Sequence, residues 1–217
     1  LVGSEMCIRD SAMAEALRAD TDRIISANSQ DVSAARLSGI EDSMIDRLML
    51  TEARIEGMAT ALEDLINLPD PVGETIDSSC VDSGLIVERR RVPLGVVGII
   101  YESRPNVTVD IAGMCWKAGN AVVLRGGTEA RHSNRMLRDI GHTASVEQGL
   151  PSEWLGLVEG TDRALVGEML CLNEYFDVIV PRGGAGLVSF VVENARVPVL
   201  ETGFGVCHTY VLSLIHI

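Results

Sequence analysis

The feature that most constrains the fold of this chain is an alternation of short apolar segments with helical segments in its second half. Gly95 to Tyr101 (GVVGIIY) is uncharged and rich in β-branched residues, which is typical of a strand buried on both faces. Further short strands are predicted at Ala121 to Arg125, Leu155 to Val158, Phe176 to Val180 and Val197 to Leu200. Strands that alternate with helices favour a right-handed, mainly parallel sheet. We therefore predict a Rossmann-like, doubly wound α/β fold.

The helices between these strands have recognisable starts and stops. Helical segments are predicted at about Asn106 to Lys117, Glu129 to Gln148 and Asp162 to Leu172, and Gly183-Gly184-Ala185-Gly186 begins another. Gly119 stands where a helix commonly ends on a glycine.

Helical periodicity dominates the segment before the sheet, from Ala12 to Leu68. Thr51 is a predicted N-cap, and apolar residues recur at helical spacing on one face of the helix that follows. Pro69-Asp70-Pro71 ends that helix, because proline lacks an amide donor. Between there and Arg91, we predict loop and a strand at Leu85 to Glu88. The fold class is thus an N-terminal helical segment followed by the sheet.

Composition limits the classes of function. The chain has 217 residues, and 31 acidic against 18 basic residues give a net charge of −13, which would repel a nucleic-acid backbone. No apolar run reaches the roughly 18 residues of a membrane span, and 47% hydrophobic residues exclude intrinsic disorder. The five cysteines are scattered without a CxxC pair, which argues against a disulfide framework and a structural metal site. We predict a cytoplasmic protein that binds no nucleic acid, membrane or metal.

The two ends differ in character from the segments that they flank. Leu1 to Ser11 and Leu212 to Ile217 share no periodicity with their neighbours, and we interpret both as non-native peptides from cloning or sequencing. Ordinary frayed termini are the alternative interpretation. On the first interpretation, residues 12–211 are the native part of the chain.

Two glycine-rich turns follow predicted strands, and each carries an arginine. The first is Arg125-Gly126-Gly127 and the second is Arg182-Gly183-Gly184-Ala185-Gly186. Ligands of doubly wound sheets bind beyond the carboxyl ends of the strands, where helix N-termini attract phosphate. Glycine lets backbone amides approach a phosphate, and arginine supplies a planar set of donors. Neither turn matches the GxGxxG fingerprint, so tight turns without a ligand are an open alternative.

Polar and nucleophilic residues at two further strand ends are candidates for chemistry. Asn106 follows Arg104-Pro105, and its side chain either caps the next helix or donates to a developing oxyanion. Cys207-His208 suggests a nucleophile and its base. Adjacent residues on a strand point to opposite faces, however, so we interpret Cys207 as a packed thiol.

Four segments carry a resemblance to a known family. They are PLGVVGIIYESRPNVTVD (Pro93 to Asp110), KAGNAVVLRGG (Lys117 to Gly127), VPRGGAGL (Val180 to Leu187) and ETGFGVCHTYV (Glu201 to Val211). They resemble the γ-glutamyl phosphate reductases, or glutamate-5-semialdehyde dehydrogenases, of the aldehyde dehydrogenase superfamily. PLGVxGxIYExRPNVT together with VLRGG is specific to this branch, since ordinary aldehyde dehydrogenases carry PWN and KPSE there. The likeness runs from about Ala12 to Val211.

The resemblance implies NADPH-dependent reduction of L-glutamate 5-phosphate to L-glutamate 5-semialdehyde, with release of phosphate, in proline biosynthesis. In the family a cysteine thiolate attacks the acyl phosphate, phosphate leaves, and hydride transfer to the thioester releases the aldehyde. That cysteine follows the segment that contains Cys207. The resemblance therefore implies an N-terminal fragment that lacks the nucleophile and the catalytic domain, and we expect the 217-residue chain alone to be inactive. It also implies a homo-oligomeric parent, with residues at about 69–92 in its oligomerisation segment.

The resemblance also implies roles for individual residues. The implied cofactor-binding residues are Arg125, Gly126, Gly127, Arg182, Gly183, Gly184 and Gly186, with Arg125 a candidate for the 2′-phosphate. Asn106 would help to stabilise the oxyanion, and Arg104 is a candidate for binding the acidic substrate. Glu201 falls where aldehyde dehydrogenases keep a general base, although expulsion of phosphate needs no activated water, so another role is open. The alternatives are another acylating aldehyde dehydrogenase, such as a CoA-linked one, and a non-catalytic nucleotide-binding module.

Overall fold

Helices form the first part of the computed structural model, which describes residues 3–160 and 162–201, with the backbone alone for residues 3–10. The helices are α1 (Gly3–Ala19), α2 (Thr21–Leu37), α3 (Asp42–Leu48) and α4 (Glu52–Asn67). The Thr51 hydroxyl accepts a hydrogen bond from the Arg54 N–H (3.3 Å), which confirms Thr51 as the N-cap of α4. Helix α1 begins inside the segment that we interpret as non-native, and that interpretation stays a prediction.

An exposed hairpin follows the helices. Strands β1 (Thr75–Cys80) and β2 (Ile86–Arg90) pair antiparallel, and every residue of both strands is exposed. Strand β2 confirms the strand predicted at Leu85 to Glu88, shifted by one or two residues. Strand β1 stands where we predicted loop, because its mostly polar sequence, TIDSSC, carries little β-propensity. A two-stranded hairpin without a packed face has little stability of its own.

A parallel sheet forms the centre of the remaining chain. Its strands are β3 (Val96–Tyr101), β4 (Ala121–Arg125), β5 (Leu155–Leu157) and β6 (Val178–Arg182), in the order β5-β4-β3-β6. Helices α5 (Asn106–Lys117), α6 (Arg131–Glu147), α7 (Ala164–Cys171) and α8 (Ala185–Asn194) connect or follow them, and a 3₁₀ turn (Thr128–Ala130) precedes α6. Each neighbouring pair of strands is parallel, which confirms the predicted α/β fold.

The central strand β3 contributes to the core on both faces of the sheet. Val97, Ile99 and Tyr101 pack in a buried cluster with residues of α1, α4, α5 and α6. Ile100 packs in a second cluster with residues of α7 and α8. Successive side chains of a strand point to opposite faces, so helices cover both sides, as a doubly wound sheet requires.

The prediction of a strand at Val197 to Leu200 is wrong. Only a single parallel bridge forms there, between Ile179 and Val199. The Ile179 N–H donates to the Pro198 carbonyl (2.8 Å), and the Leu200 N–H donates to the Ile179 carbonyl (2.9 Å). Pro198 itself has no N–H, so the ladder cannot extend through it.

A buried polar network attaches the helical segment to α6. The Asp31 carboxylate on α2 accepts hydrogen bonds from the backbone N–H groups of His132 (3.1 Å) and Ser133 (2.7 Å), and from the Ser133 hydroxyl (2.6 Å). Asn28 donates to the Ser133 hydroxyl (3.0 Å) and to the Leu48 carbonyl (2.8 Å). Asp31 and Asn28 are each 3% exposed. The carboxylate thus satisfies free amides at the N-terminus of α6, where the helix dipole favours an anion.

Replacing Asp31 tests how much this network stabilises the fold. Asp31→Ala should lower the free energy of unfolding by about 3 kcal/mol, because buried donors lose a charged acceptor. Asp31→Asn, which keeps one acceptor oxygen, should cost roughly half of that. Urea denaturation of the 217-residue chain measures both. Asp64→Ala, which removes an exposed carboxylate of α4, is the control and should change stability by at most about 0.5 kcal/mol. Equal losses for Asp31→Ala and Asp64→Ala would contradict the prediction.

Candidate functional site

The carboxyl ends of neighbouring strands form one wall of a cavity of about 810 Å³. From the sheet edge it is lined by Glu102, Ser103, Arg125, Gly127, Thr128 and Glu129. Arg163, at the start of α7, and Gly186, in the first turn of α8, line it from the opposite side. The fold therefore brings members of both glycine-rich turns to one cavity, because the carboxyl ends of parallel strands meet at one edge. Arg182, Gly183 and Gly184 are exposed beside it.

Arg125 is a buried cation at this edge. It ends β4, and only 6% of its surface is exposed. One of its terminal nitrogens donates to the Gly126 carbonyl, while its Nε has no hydrogen-bond partner. Within residues 3–160 and 162–201, no carboxylate forms an ion pair with it. A buried guanidinium that lacks an acceptor is costly, so an anionic ligand beside it would be stabilised.

A second, narrower cavity lies beside Arg125 on the side of β5. Its lining includes Gly126, Thr128, Arg131, Arg135 and Glu159. Arg135 pairs with Glu159 (3.4 Å between Nε and Oε1). Arg131 is exposed, and its guanidinium has no hydrogen bond or ion pair in the part of the chain that the structure describes. The cavity thus contains a cation that is free to bind an anion.

Gly126 lies where two buried side chains approach the backbone. A Cβ atom on Gly126 would come 2.1 Å from the Asn134 side-chain nitrogen and 3.0 Å from the Tyr101 ring. The Tyr101 hydroxyl shares a hydrogen bond of 2.7 Å with the Thr108 hydroxyl, and Thr108 donates to the Asn134 side-chain oxygen (3.1 Å). Burial raises the pKa of Tyr101, so the phenol stays protonated and available for this chain of hydrogen bonds. Gly126 is therefore required by packing, whether or not a ligand binds.

Two carboxylates satisfy backbone amides at the same edge. Glu102 accepts a hydrogen bond from the Gly184 N–H (2.9 Å), at the N-terminus of α8. Glu129 accepts from the Ser103 N–H (2.7 Å) and from the Ser103 hydroxyl (2.6 Å). Ser103 has φ +43°, a left-handed conformation that is uncommon for residues with a side chain and is often held in place at functional sites.

Arg104 and Asn106 lie in a different cavity, of about 420 Å³, together with Asp110. The interpretation of Asn106 as a helix cap is wrong. Pro105 before it already has helical backbone angles, so Asn106 is inside α5 and makes no capping bond. Its side-chain nitrogen instead donates to the Asp110 carboxylate (2.8 Å). Burial raises the pKa of Asp110, and the bond from Asn106 partly opposes that rise.

The remaining predicted residues lie at the end of the described chain or beyond it. Glu201 is the last described residue and is exposed, and Cys207-His208 lies outside the described residues. Cys115 is buried, and burial raises the pKa of its thiol to about 12, which makes it a poor nucleophile. Cys80 and Cys171 are exposed, and neither lines the two cavities at the sheet edge.

Residues 3–160 and 162–201 contain neither a candidate membrane span nor a cluster of metal-ligating side chains. None of the helices there combines the length and the apolar character that crossing a bilayer requires. Nor do those residues contain a group of three or more His, Cys, Asp or Glu side chains arranged to hold a metal ion.

Sequence reasoning missed three residues of this edge. Glu102 and Glu129 were not singled out, because a lone acidic residue at a strand or helix end carries no periodic signal. Arg131 was not singled out either, although it falls in the first turn of the helix after Gly126-Gly127. That position places a side chain beside a ligand bound at the turn, and this was the available signal.

The chain is similar to γ-glutamyl phosphate reductases. No protein-family profile matches it. It is 50% identical over 199 residues to the γ-glutamyl phosphate reductase of Actinobacillus succinogenes, covering 92% of this chain and 48% of that protein. The enzyme of Salinibacter ruber is 52% identical over 199 residues, covering 92% of this chain and 46% of that protein. The chain therefore spans about half the length of the curated relatives that it matches.

Solved structures agree with this likeness. The γ-glutamyl phosphate reductase of Thermotoga maritima superimposes with a TM-score of 0.91 at 46% identity, over 94% of this chain and 50% of that chain. The enzyme of Saccharomyces cerevisiae superimposes with a TM-score of 0.84 at 31% identity, over 92% of this chain and 51% of that chain. An acetylating aldehyde dehydrogenase from Geobacillus thermoglucosidasius superimposes with a TM-score of 0.69 at 19% identity, over 92% of this chain and 41% of that chain. At that identity the match supports a shared fold and nothing more. These matches confirm the resemblance inferred from the motifs.

Gly126 and Gly186, one from each turn, differ in how much space a side chain would have, and this gives a matched pair of variants. Gly126→Ala should lower the free energy of unfolding by about 1–3 kcal/mol, because the methyl group collides with the Asn134 side chain. Gly186→Ala meets nothing within 4 Å and lies in a helix, so stability should be unchanged or rise by up to about 1 kcal/mol. Urea denaturation measures both. A loss for Gly186→Ala as large as that for Gly126→Ala would show that the packing argument is wrong.

Proposed function

We propose that this chain is the cofactor-binding half of an NADPH-dependent enzyme that reduces L-glutamate 5-phosphate to L-glutamate 5-semialdehyde and releases phosphate. The proposal rests on the likeness to γ-glutamyl phosphate reductases over about half of their length. The single structural observation that supports it is the buried, incompletely bonded Arg125 at the carboxyl edge of a doubly wound sheet. That is where such folds bind nucleotides.

The residues at this edge fit a phosphorylated dinucleotide. A phosphate oxygen would supply the acceptor that the Arg125 Nε lacks. Arg125, Gly126 and Gly127 would lie along the adenosine side of the cofactor, with Arg125 close to the 2′-phosphate. The turn Arg182-Gly183-Gly184-Ala185-Gly186, at the start of α8, would lie near the diphosphate. When bound, NADPH supplies the hydride for the reduction.

Arg104 and Asn106 have separate roles in the proposal. The Asn106 side-chain nitrogen carries two hydrogens, and Asp110 accepts only one of them, which leaves the other for an oxyanion. The exposed Arg104 guanidinium lines the same cavity and would attract the carboxylate of an acidic substrate. The role of Glu201 stays open, because expulsion of phosphate requires no activated water.

The exposed hairpin supports a further part of the proposal, the assembly of the parent enzyme. Apolar side chains of this hairpin face solvent, among them Ile76, Leu85 and Ile86, with 46–67% of their surface exposed. Such a ribbon gains stability when a second chain covers it. We assign the segment at about residues 69–92 to the oligomerisation region of a homo-oligomer that works in the cytoplasm.

Arg131 lines the narrower cavity beside Arg125 and would contact the same 2′-phosphate, so its replacement tests selectivity for NADPH over NADH. Adenosine 2′,5′-bisphosphate carries the 2′-phosphate, and AMP lacks it. Arg131→Ala should weaken binding of the bisphosphate about fivefold to tenfold and leave AMP binding unchanged, because only the first ligand loses a charged contact. Isothermal titration of the 217-residue chain measures both. Arg131 is preferable to Arg125, whose removal would also leave a cavity in the core.

Arg89→Ala is the matched control for Arg131→Ala, since it removes an exposed arginine from the distant hairpin. It should change neither affinity. Equal weakening of both ligands by Arg131→Ala would contradict the assignment to the 2′-phosphate. No binding of either ligand to the unaltered chain would contradict the cofactor site as a whole.

The proposed reaction is tested at two levels. The 217-residue chain, supplied with glutamate 5-semialdehyde, phosphate and NADP⁺, should form no NADPH above a heat-treated control, because in the family that it resembles the nucleophilic cysteine follows the segment matched by Glu201 to Val211. Sequencing the parent locus across both ends, then expressing the encoded protein, tests the substrate. That protein should reduce L-glutamate 5-phosphate faster than any acyl-CoA. A preference for acyl-CoA would favour a CoA-linked aldehyde dehydrogenase instead.

A further inference from the structure

Glu102 connects two elements that are distant in the sequence. It follows the last residue of β3, and its carboxylate reaches the N-terminus of α8, where it accepts the Gly184 N–H at 2.9 Å. The missing side chain of Gly183 makes room for this approach, since a Cβ atom there would lie 2.5 Å from the Glu102 Oε2. In the part of the chain that the structure describes, Glu102 has no arginine or lysine partner. Among the described residues, the hydrogen-bond donor to this carboxylate is the amide at the helix terminus.

The Gly184 N–H is also a donor that a bound phosphate would need. Free amides at a helix N-terminus bind either a carboxylate or a phosphate, and one N–H cannot serve both at full strength. An independent observation indicates that an anionic ligand binds in the neighbouring cavity, which Glu102 lines and beside which Gly184 is exposed. Arg125, which lines the cavity together with Glu102, is buried and its Nε has no acceptor. Glu102 and Arg125 form neither a hydrogen bond nor an ion pair with each other.

We propose that Glu102 is an internal competitor of the cofactor's diphosphate and so determines how tightly this site holds a dinucleotide. This inference rests on the proposed NADPH site. The carboxylate caps α8 through the Gly184 N–H, and a diphosphate that binds there displaces it. Binding therefore exchanges one anion for another at the helix terminus, and part of the gain from the new contact is offset by the lost one. A negative carboxylate left beside the diphosphate weakens binding further by repulsion.

A competing role and a purely structural role of Glu102 predict different changes in NADPH affinity when Glu102 is replaced. If Glu102 only shaped the turn, its replacement would weaken NADPH binding or leave it unchanged. If Glu102 were a ligand of the cofactor's hydroxyl groups, its replacement would weaken binding. Neutralisation makes the complex tighter only if the carboxylate opposes the diphosphate, by competing for the Gly184 N–H and by repelling the bound anion.

The experiment compares two variants with the unaltered 217-residue chain. Glu102→Gln retains the size of the side chain and removes its charge, and Glu102→Ala removes the contact with Gly184. Both should bind NADPH about twofold to fivefold more tightly in isothermal titration, the gain expected from one charge at a helix terminus. Inorganic pyrophosphate, as a second probe, should show the same direction. The gain should shrink at high salt, because exposed charges are screened.

Glu193→Gln is the matched control. Glu193 is an exposed residue near the other end of α8, so this variant makes the same change in net charge away from the helix terminus that Glu102 caps. It should bind NADPH with unchanged affinity. Thermal unfolding of each variant verifies that the fold is intact. Glu102→Ala and Glu102→Gln should both melt as cooperatively as the unaltered chain, since the Glu102 side chain is exposed.

The outcomes separate this inference from the proposed function. Unchanged or weaker NADPH binding by both Glu102 variants, with normal binding by the unaltered chain, would overturn the inference and leave the cofactor site in place. A gain of equal size for Glu193→Gln would also overturn it, since the effect would then reflect net charge alone. Failure of every form of the chain to bind NADPH or pyrophosphate would overturn both the site and the inference.

Discussion

The structure depends on β3 being paired on both edges and covered on both faces. Parallel neighbours β4 and β6 satisfy its backbone groups, and two separate clusters of apolar side chains bury its faces. Unpaired backbone groups in such an interior would be costly, so the position of this strand fixes its neighbours. Their carboxyl ends then fall side by side. The cavity at that edge is a consequence of the ladder, and its residues come from segments as far apart in the sequence as Ile40 and Phe190.

The net charge of the whole chain does not decide whether an anion binds at the sheet edge. With a net charge of −13, the protein as a whole repels anions, yet Arg125 is buried at the sheet edge without a carboxylate partner among the described residues. Long-range repulsion between exposed charges is screened over about 10 Å at moderate salt, whereas a contact with a buried guanidinium is screened much less. Local geometry therefore governs whether a phosphate binds. An acidic surface disfavours long polyanions such as nucleic acids more than it disfavours one nucleotide.

The sequence was sufficient for features that repeat along the chain, and insufficient for contacts between distant segments. The apolar, β-branched run of β3 and the helical period of α4 predicted those elements, because burial imposes a pattern on consecutive residues. Strand β1 was missed, since a hairpin exposed on both faces imposes no such pattern. Val197 to Leu200 has the composition of a strand, but Pro198 limits its pairing to one bridge. Both glycine-rich turns follow predicted strands and lie at one edge, and Arg131 could have been found from its place just after the first of them. Glu102 and Glu129 became visible only once the strands had been placed side by side.

The carboxylates at this edge lower the free energy that an anionic ligand gains on binding. Glu129 already accepts hydrogen bonds from two donors of Ser103, and Glu102 accepts one from an amide of α8. These donors are therefore hydrogen-bonded before a ligand binds. The free energy of binding an anion is then a difference between two charge-assisted contacts, and not the full strength of the new one. Such an exchange favours moderate affinity. Under the proposed function, moderate affinity would suit an enzyme that releases its oxidised cofactor after each turnover, because product release often limits the rate. The same carboxylate would then stabilise the helix terminus in the free protein and promote release of the ligand.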